Sequence, residues 1–234
     1  MKIAIMQPYF MPYIGYFQLI KSVDRFVVCD DVQYIKQGWI NRNRLLINGE
    51  PKLFTFSLKK DHNNYNINKR YFSSNFKKDK EKLMRILKGA YKKAPYYSQV
   101  EELISNILKY DNNANIGDFI DNSIREVCKY LGIETEIIKS SNIEKDNTLK
   151  CQDKVIDIIK KVHGNIYINS IGGTALYSKD VFKENNIELY FLKRNELEYK
   201  QFHNKFVSDL SIIDVMMFNS VEDIQKLLNQ YTLS

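Results

Sequence analysis

The stretch Met1-Lys-Ile-Ala-Ile-Met-Gln-Pro-Tyr-Phe-Met-Pro-Tyr-Ile-Gly-Tyr-Phe-Gln-Leu-Ile20 decides how the rest of the chain is read. Ile3 to Met6 is a short apolar run of the kind that forms a buried strand. Gln7-Pro8-Tyr9 and Pro12 to Tyr16 follow as a rigid polar and aromatic turn, and an amphipathic segment continues to about Val23. Strand, special loop and helix in that order build ligand sites in open α/β sheets, at the carboxyl edge of the strand and the amino end of the helix. The active site is therefore expected to begin here.

Working outward, the same alternation recurs. Arg25 to Cys29 reads as a second strand, and Glu136 to Lys139, Ile166 to Asn169 and Ile187 to Leu192 as further ones. Helical spacing marks 78–88, 96–109, 116–131, 149–162 and 221–231, with Gly117-Asp118 as a start signal and Gly132 as a stop. Asn48-Gly49 between two apolar runs signals a hairpin over about 44–58. Residues 60–75 lack periodicity and read as a loop, with His62 as a candidate substrate contact. Short strands alternating with helices predict an α/β fold with a mostly parallel, Rossmann-like sheet, flanking helices and right-handed crossovers. The hairpin would be a flap, and 76–132 a helical insertion within a single domain spanning 1–234.

Composition narrows the function classes. Of 234 residues, 44% are hydrophobic and 27% charged, ordinary values for a globular chain. No apolar run reaches the roughly 20 residues needed to cross a bilayer, and the amino terminus is strand-like, so a cytoplasmic location is expected. Cys29, Cys128 and Cys151 are too few and too scattered for a zinc site or a disulfide framework. The net charge of +7 points weakly to an anionic partner. Without a recognition motif, a nucleotide or nucleotide-sugar fits that charge better than nucleic acid. Sixteen tyrosines against one tryptophan suit sugar and base pockets, since each offers stacking area and a hydroxyl.

Candidate site residues cluster in two places. In the opening loop, Gln7, Tyr9, Tyr13 and Tyr16 carry polar groups, and Gly15 would let backbone approach a ligand. At the end of the second strand, Asp30 and Asp31 could bind sugar hydroxyls, hold a metal, act as a base, or simply cap a loop. Alternation along an extended strand turns only one of them to the site. Gln33, Lys36, Trp39, Asn41, Arg42 and Asn43 follow in a polar and aromatic run, with Lys36 and Arg42 as phosphate clamps and Trp39 as a stacking platform. Gly172 and Gly173 before a helix would expose backbone N–H groups to an anion, or allow close packing. Ser211 reads as a helix cap and Asp214 as a buried hydrogen-bond partner. Cys29 beside Asp30 makes a poor nucleophile. No metal motif is present.

Met6-Gln-Pro-Tyr9, Pro12 to Ile20, Asp30 to Tyr34, Gly38 to Asn43, Ile171-Gly-Gly173 and Leu210 to Asp214 together resemble the WbqC-like protein family over nearly the whole chain. The resemblance implies a bacterial protein of surface-polysaccharide (O-antigen or capsule) biosynthesis, and some relatives are linked to acyl or glycyl transfer onto an amino sugar. Substrates would be a nucleotide-linked amino sugar and a small acyl or amino-acid donor. The donor's activation stays open among acyl-coenzyme A, a carrier-protein thioester and ATP. Tyr13-Ile-Gly-Tyr16 also has the spacing of the His-x-Gly-His motif of pantothenate synthetase-type nucleotidyltransferases, with tyrosines in place of both histidines. Tyrosine can donate to phosphate but carries no cation at neutral pH. An ATP-dependent ligase and a non-catalytic sugar-nucleotide-binding factor are the alternatives. In the transferase reading, an aspartate of the pair orients or deprotonates the sugar amine, and Tyr13 and Tyr16 hold the anionic part of a substrate.

Overall fold

The computed structural model describes residues 1–62, 64–109, 115–202 and 205–234. Its strands in chain order are β1 (Lys2–Met6), β2 (Arg25–Val28), β3 (Arg42–Ile47), β4 (Glu50–Thr55), β5 (Glu136–Lys139), β6 (Ile166–Ser170), β7 (Glu188–Arg194) and β8 (Tyr231–Leu233). The helices are α1 (Ile14–Lys21), α2 (Phe76–Tyr91), α3 (Tyr97–Lys109), α4 (Ile116–Leu131), α5 (Cys151–Lys161), α6 (Lys179–Glu184), α7 (Ile212–Phe218) and α8 (Val221–Leu227). The fold is α/β. Six strands form one sheet in the order β5-β2-β1-β6-β7-β8, parallel except for β8, and β3 and β4 form a separate antiparallel hairpin.

Period-two alternation sends side chains to opposite faces of a sheet and so builds two cores. Ile3, Ile5, Val27, Tyr167 and Leu189 face α5 and α6, where they meet Ile156, Ile159 and Phe182. Ala4, Phe26, Val28, Ile168 and Leu192 belong to the larger core with Phe17 and Leu19 of α1, Ile120 and Ile124 of α4, and Met216 of α7. No described helix is long and apolar enough to cross a membrane.

Local chemistry sets the boundaries. Asn48 and Gly49 both have positive φ, at 53° and 76°, as a two-residue hairpin of this kind demands. At Gly132 the chain turns left-handed with φ 67°, ending α4 where the glycine signal placed its end. That helix starts at Ile116, as the spacing predicts, and the Asn115 side chain caps it by accepting from the Asp118 N–H at 3.2 Å. Helix α5 starts at Cys151 rather than 149. The carboxyl-terminal segment ends its helix at Leu227, and Tyr231–Leu233 pairs with β7 as an edge strand. Three residues are too short to show strand alternation, and only the waiting edge of β7 makes them a strand.

The strand order creates a switch point. From β1 the chain moves outward to β2 and later β5, then returns to β6 on the other side of β1. Pairing of β1 with β2 runs from Ile3 through Met6, whereas β1 and β6 register only at Lys2↔Ile166 and Ile3↔Tyr167. Beyond Ile3 the two strands part at their carboxyl ends, which is where open α/β sheets bind ligands.

Candidate functional site

The parting of β1 and β6 opens a cleft of about 390 Å³. Ile5, Met6 and Gln7 form one wall and Asn169, Ser170, Gly172 and Gly173 the other, with Cys151 and Lys154 of α5 and Tyr9 and Tyr177 around them. Asn169 accepts from the Ser170 N–H at 2.8 Å through its side-chain oxygen. A side chain at Gly173 would overlap the Asn169 amide, so this glycine is needed for packing, while Gly172 faces open space.

The two aspartates after β2 have separate tasks. Asp30 is buried and accepts from the Ser141 N–H at 3.0 Å and the Ser141 hydroxyl at 2.7 Å, clasping the end of β2 to the segment after β5. It does not line the cleft. Asp31 lies 2.8 Å from the ammonium of Lys145 and 3.5 Å from that of Lys154. Burial by itself would raise the Asp31 carboxyl; the Lys145 hydrogen bond and the two lysine charges outweigh it, and its pKa falls below the ordinary carboxylate range. Asp31 thus stays ionised at neutral pH and fixes Lys154 at the cleft wall.

The tyrosines also divide. Tyr16 is buried and donates its hydroxyl to the Gln7 carbonyl at 2.9 Å, so that group shapes the loop. Burial pushes its pKa well up, and the neighbouring Tyr9 adds to the shift. Tyr13 lines a second pocket, of about 160 Å³, with Trp39, Asn43, Arg44 and Asp209. Tyr9 lines both pockets. A Cβ at Gly15 would overlap the Tyr13 ring, so the glycine makes room for that ring.

The 33–43 run is distributed around these pockets. Trp39 is part-exposed, with the Arg42 and Arg44 guanidinium groups at 5.6 and 5.1 Å from its ring. Arg42 donates to the Gly38 carbonyl at 3.0 Å and to the Gln37 carbonyl, two of its five N–H groups, which ties it to its own loop. Asn41 accepts from the Tyr34 hydroxyl at 2.8 Å and donates to the Phe56 carbonyl at 2.7 Å. Asn43 donates to the Phe10 and Met11 carbonyls at 3.1 and 2.5 Å, holding Met11 at φ 46°. Gln33 is exposed and bridges Asn66 through its backbone, and exposed Lys36 borders a groove on the other side of the loop. His62 is exposed and its carbonyl accepts from Arg70 at 3.0 Å.

Several site residues carry no local signal. Lys154, Tyr177, Arg44 and Asp209 look like ordinary surface positions in the sequence. Asn169 alone, a polar residue closing an apolar strand, could have been singled out. Asp209 is held left-handed at φ 57°, its carbonyl taking Arg44 at 3.2 Å and its carboxylate taking Arg194 at 2.9 Å. Cys29 is buried and its thiol is pushed up to about 12, by burial first and then by Asp31. Ser211 caps α7 by accepting from the Ile213 N–H at 3.3 Å, and Asp214 is fully buried, accepting from Tyr199, Gln201 and Tyr91 at 2.6, 2.7 and 2.8 Å. Both structural readings of the sequence hold. Among the described residues, no group of three or more histidine, cysteine or carboxylate side chains is placed to hold a metal ion.

The chain is 26% identical over 229 residues to the uncharacterized protein Rv1507c of Mycobacterium tuberculosis (strain ATCC 25618 / H37Rv), covering 93% of each. No solved structure matches it. A family model described as the WbqC-like protein family matches residues 7–226, closed at one end by the opening loop and at the other by α8, and the chain belongs to that family.

Proposed function

We propose that the protein transfers an acyl or aminoacyl group to the amine of a nucleotide-linked amino sugar. The observation that carries this reading is Tyr9, which lines two pockets at once. Group transfer between two bound molecules needs adjoining subsites that hold both reacting atoms together. The larger cleft takes the sugar nucleotide, with Lys154 facing its diphosphate and Gln7 and Asn169 its hydroxyls. The smaller pocket takes the acyl group beside the stacked Trp39 and Arg44.

In the reaction the free amine attacks the acyl carbonyl carbon, a C–N bond forms, and the bond from that carbon to the donor's leaving group breaks. The amine must shed a proton as it attacks. Asp31 lines neither pocket and is assigned to positioning Lys154 instead of to proton transfer. Asp209, which lines the smaller pocket, is the carboxylate assigned to take the proton.

Mass spectrometry of a uridine-diphosphate amino sugar, incubated with acyl-coenzyme A or with ATP and amino acids, tests the reading. Lys154→Ala should raise the KM for the sugar nucleotide at least tenfold, and Asp209→Asn should lower kcat with little change in KM. Full turnover in both variants overturns the assignment. Tyr13 and Tyr16 do not share one pocket, which removes them as a joint anion clamp in the transferase and ligase readings alike. Amino-acid-dependent exchange of labelled pyrophosphate into ATP would favour the ligase.

A further inference from the structure

Across the 32–41 loop from the cleft lies a groove of about 520 Å³, bordered by Tyr34, Lys36, Ser57, Lys59, Lys60 and Arg70. Arg70 is only 5% exposed. Its guanidinium packs 4.9 Å from the Tyr34 ring centre and donates to the His62 and Lys59 carbonyls at 3.0 and 3.3 Å, while its Nε–H has no partner among the described residues. Carbonyl dipoles satisfy some of its N–H groups but leave a net positive charge, and no carboxylate of the described residues pairs with it. Burying a cation without a counter-charge is costly, and natural proteins rarely leave such a group unpaired.

The surroundings add to the imbalance. Lys36, Lys59 and Lys60 are exposed along the same groove, and Asp61 is its one acidic side chain. Four cations against one carboxylate in a concave wall concentrate positive potential there. Ser57 and Thr55 bring hydroxyl donors to the same wall. A fixed guanidinium, mobile ammonium groups and hydroxyls together suit the tetrahedral, multiply charged oxygens of phosphate.

We propose that this groove is a second anion site, separate from the cleft, and that it binds the phosphate groups of a small phosphorylated ligand. Lys36, singled out in the sequence as a phosphate clamp, would act here. The groove's compact shape favours a diphosphate over a nucleic acid, whose backbone needs an extended basic track.

Calorimetric titration with inorganic pyrophosphate at low ionic strength tests this, in Lys154→Ala protein so that the cleft cation is removed. Binding is expected to persist there and to weaken at least tenfold when Lys36→Glu and Lys60→Glu are added. Both lysines are exposed, so thermal unfolding should be unchanged by the reversals. A nucleoside diphosphate titrated in parallel should bind with similar affinity if the groove reads phosphate alone, and tighter if it also takes the base. Absence of binding to the Lys154→Ala protein overturns the proposal, as does affinity that survives the double charge reversal.

Discussion

At the carboxyl edge of the sheet β1 and β6 stand apart, whereas beneath the hairpin the chain is packed shut. The first region sets Lys154, Gln7, Asn169 and two glycines among apolar side chains such as Ile5, Val32 and Leu176, and is open to a ligand. The second is a nest of phenylalanines: Phe56 has ring centres of Phe10, Phe54, Phe72, Phe76 and Phe119 at 4.9 to 6.2 Å, and Phe72 stacks on Phe76 at 3.8 Å. Each has an aspartate, part-buried in the first and fully buried in the second, and the two are satisfied differently. Asp31 sits among cations; Asp214 sits among neutral donors. The contrast teaches that the closed region supplies stability which the open region does without. Unpaired strand ends and an open crevice contribute little to folding, and they persist because the aromatic nest, with the hairpin and α4, holds the opening loop through Phe10.

The largest effect should come from breaking the closed side. Phe56→Ala leaves a cavity among five rings and is expected to cost about 3–5 kcal/mol. Chemical denaturation measures it directly, and a loss under about 1 kcal/mol would show that the nest collapses to fill the gap. Gly15→Ala should cost less, about 1–3 kcal/mol, because Tyr13 can swing away from the new methyl. Its more telling readout lies on the open side: displacing the Tyr13 ring reshapes the smaller pocket, so affinity for the acyl donor should fall while sugar-nucleotide affinity holds. Equal loss for both ligands would show that the two pockets are not separable.

The same contrast explains what could be read in the sequence. Elements whose cause is local were legible: the apolar run of β1, the Asn48-Gly49 turn, the glycine stop of α4 and the Ser211 cap. That a cleft would open after β1 was legible too, since strand-loop-helix there leads to it. What stayed hidden depends on contacts distant in sequence. Asp30 meets Ser141, 111 residues away, Asp31 meets Lys154 across 123, and Arg44 meets Asp209 across 165. A lysine on a helix or an aspartate in a loop has no local mark that a pocket will form around it. In the short polar run after β2 two tasks look alike in sequence: Asn41, Asn43 and Arg42 carry hydrogen bonds that shape the loop, while Trp39 and Lys36 border pockets.

The smallest predicted effect is the finest test of the comparison, because the two aspartates should tilt stability with pH in opposite senses. Asp31 has its pKa lowered in the fold: burial opposes this, and the Lys145 hydrogen bond and lysine charges prevail. Below the ordinary carboxylate value of about 3.9 the unfolded chain binds the proton that folded Asp31 refuses, so this contribution is present above that value and is lost as pH falls through the folded pKa. Asp214 has its pKa raised, by burial first, with the hydrogen bonds from Tyr199, Tyr91 and Gln201 only partly offsetting it. From about 3.9 up to its raised value the folded state binds the extra proton, so stability falls as pH rises through that window and then levels. Urea midpoints measured from about pH 2.5 to 7 should therefore show a shallower acid loss in Asp31→Asn, with its lysine pair gone, and a flatter decline above about pH 4 in Asp214→Asn. If Asp214→Asn keeps the wild-type slope there, the buried carboxylate holds no proton and its three neutral donors suffice for the charge. The closed region would then tolerate an ion as readily as the open one, and the distinction between them would rest on packing alone.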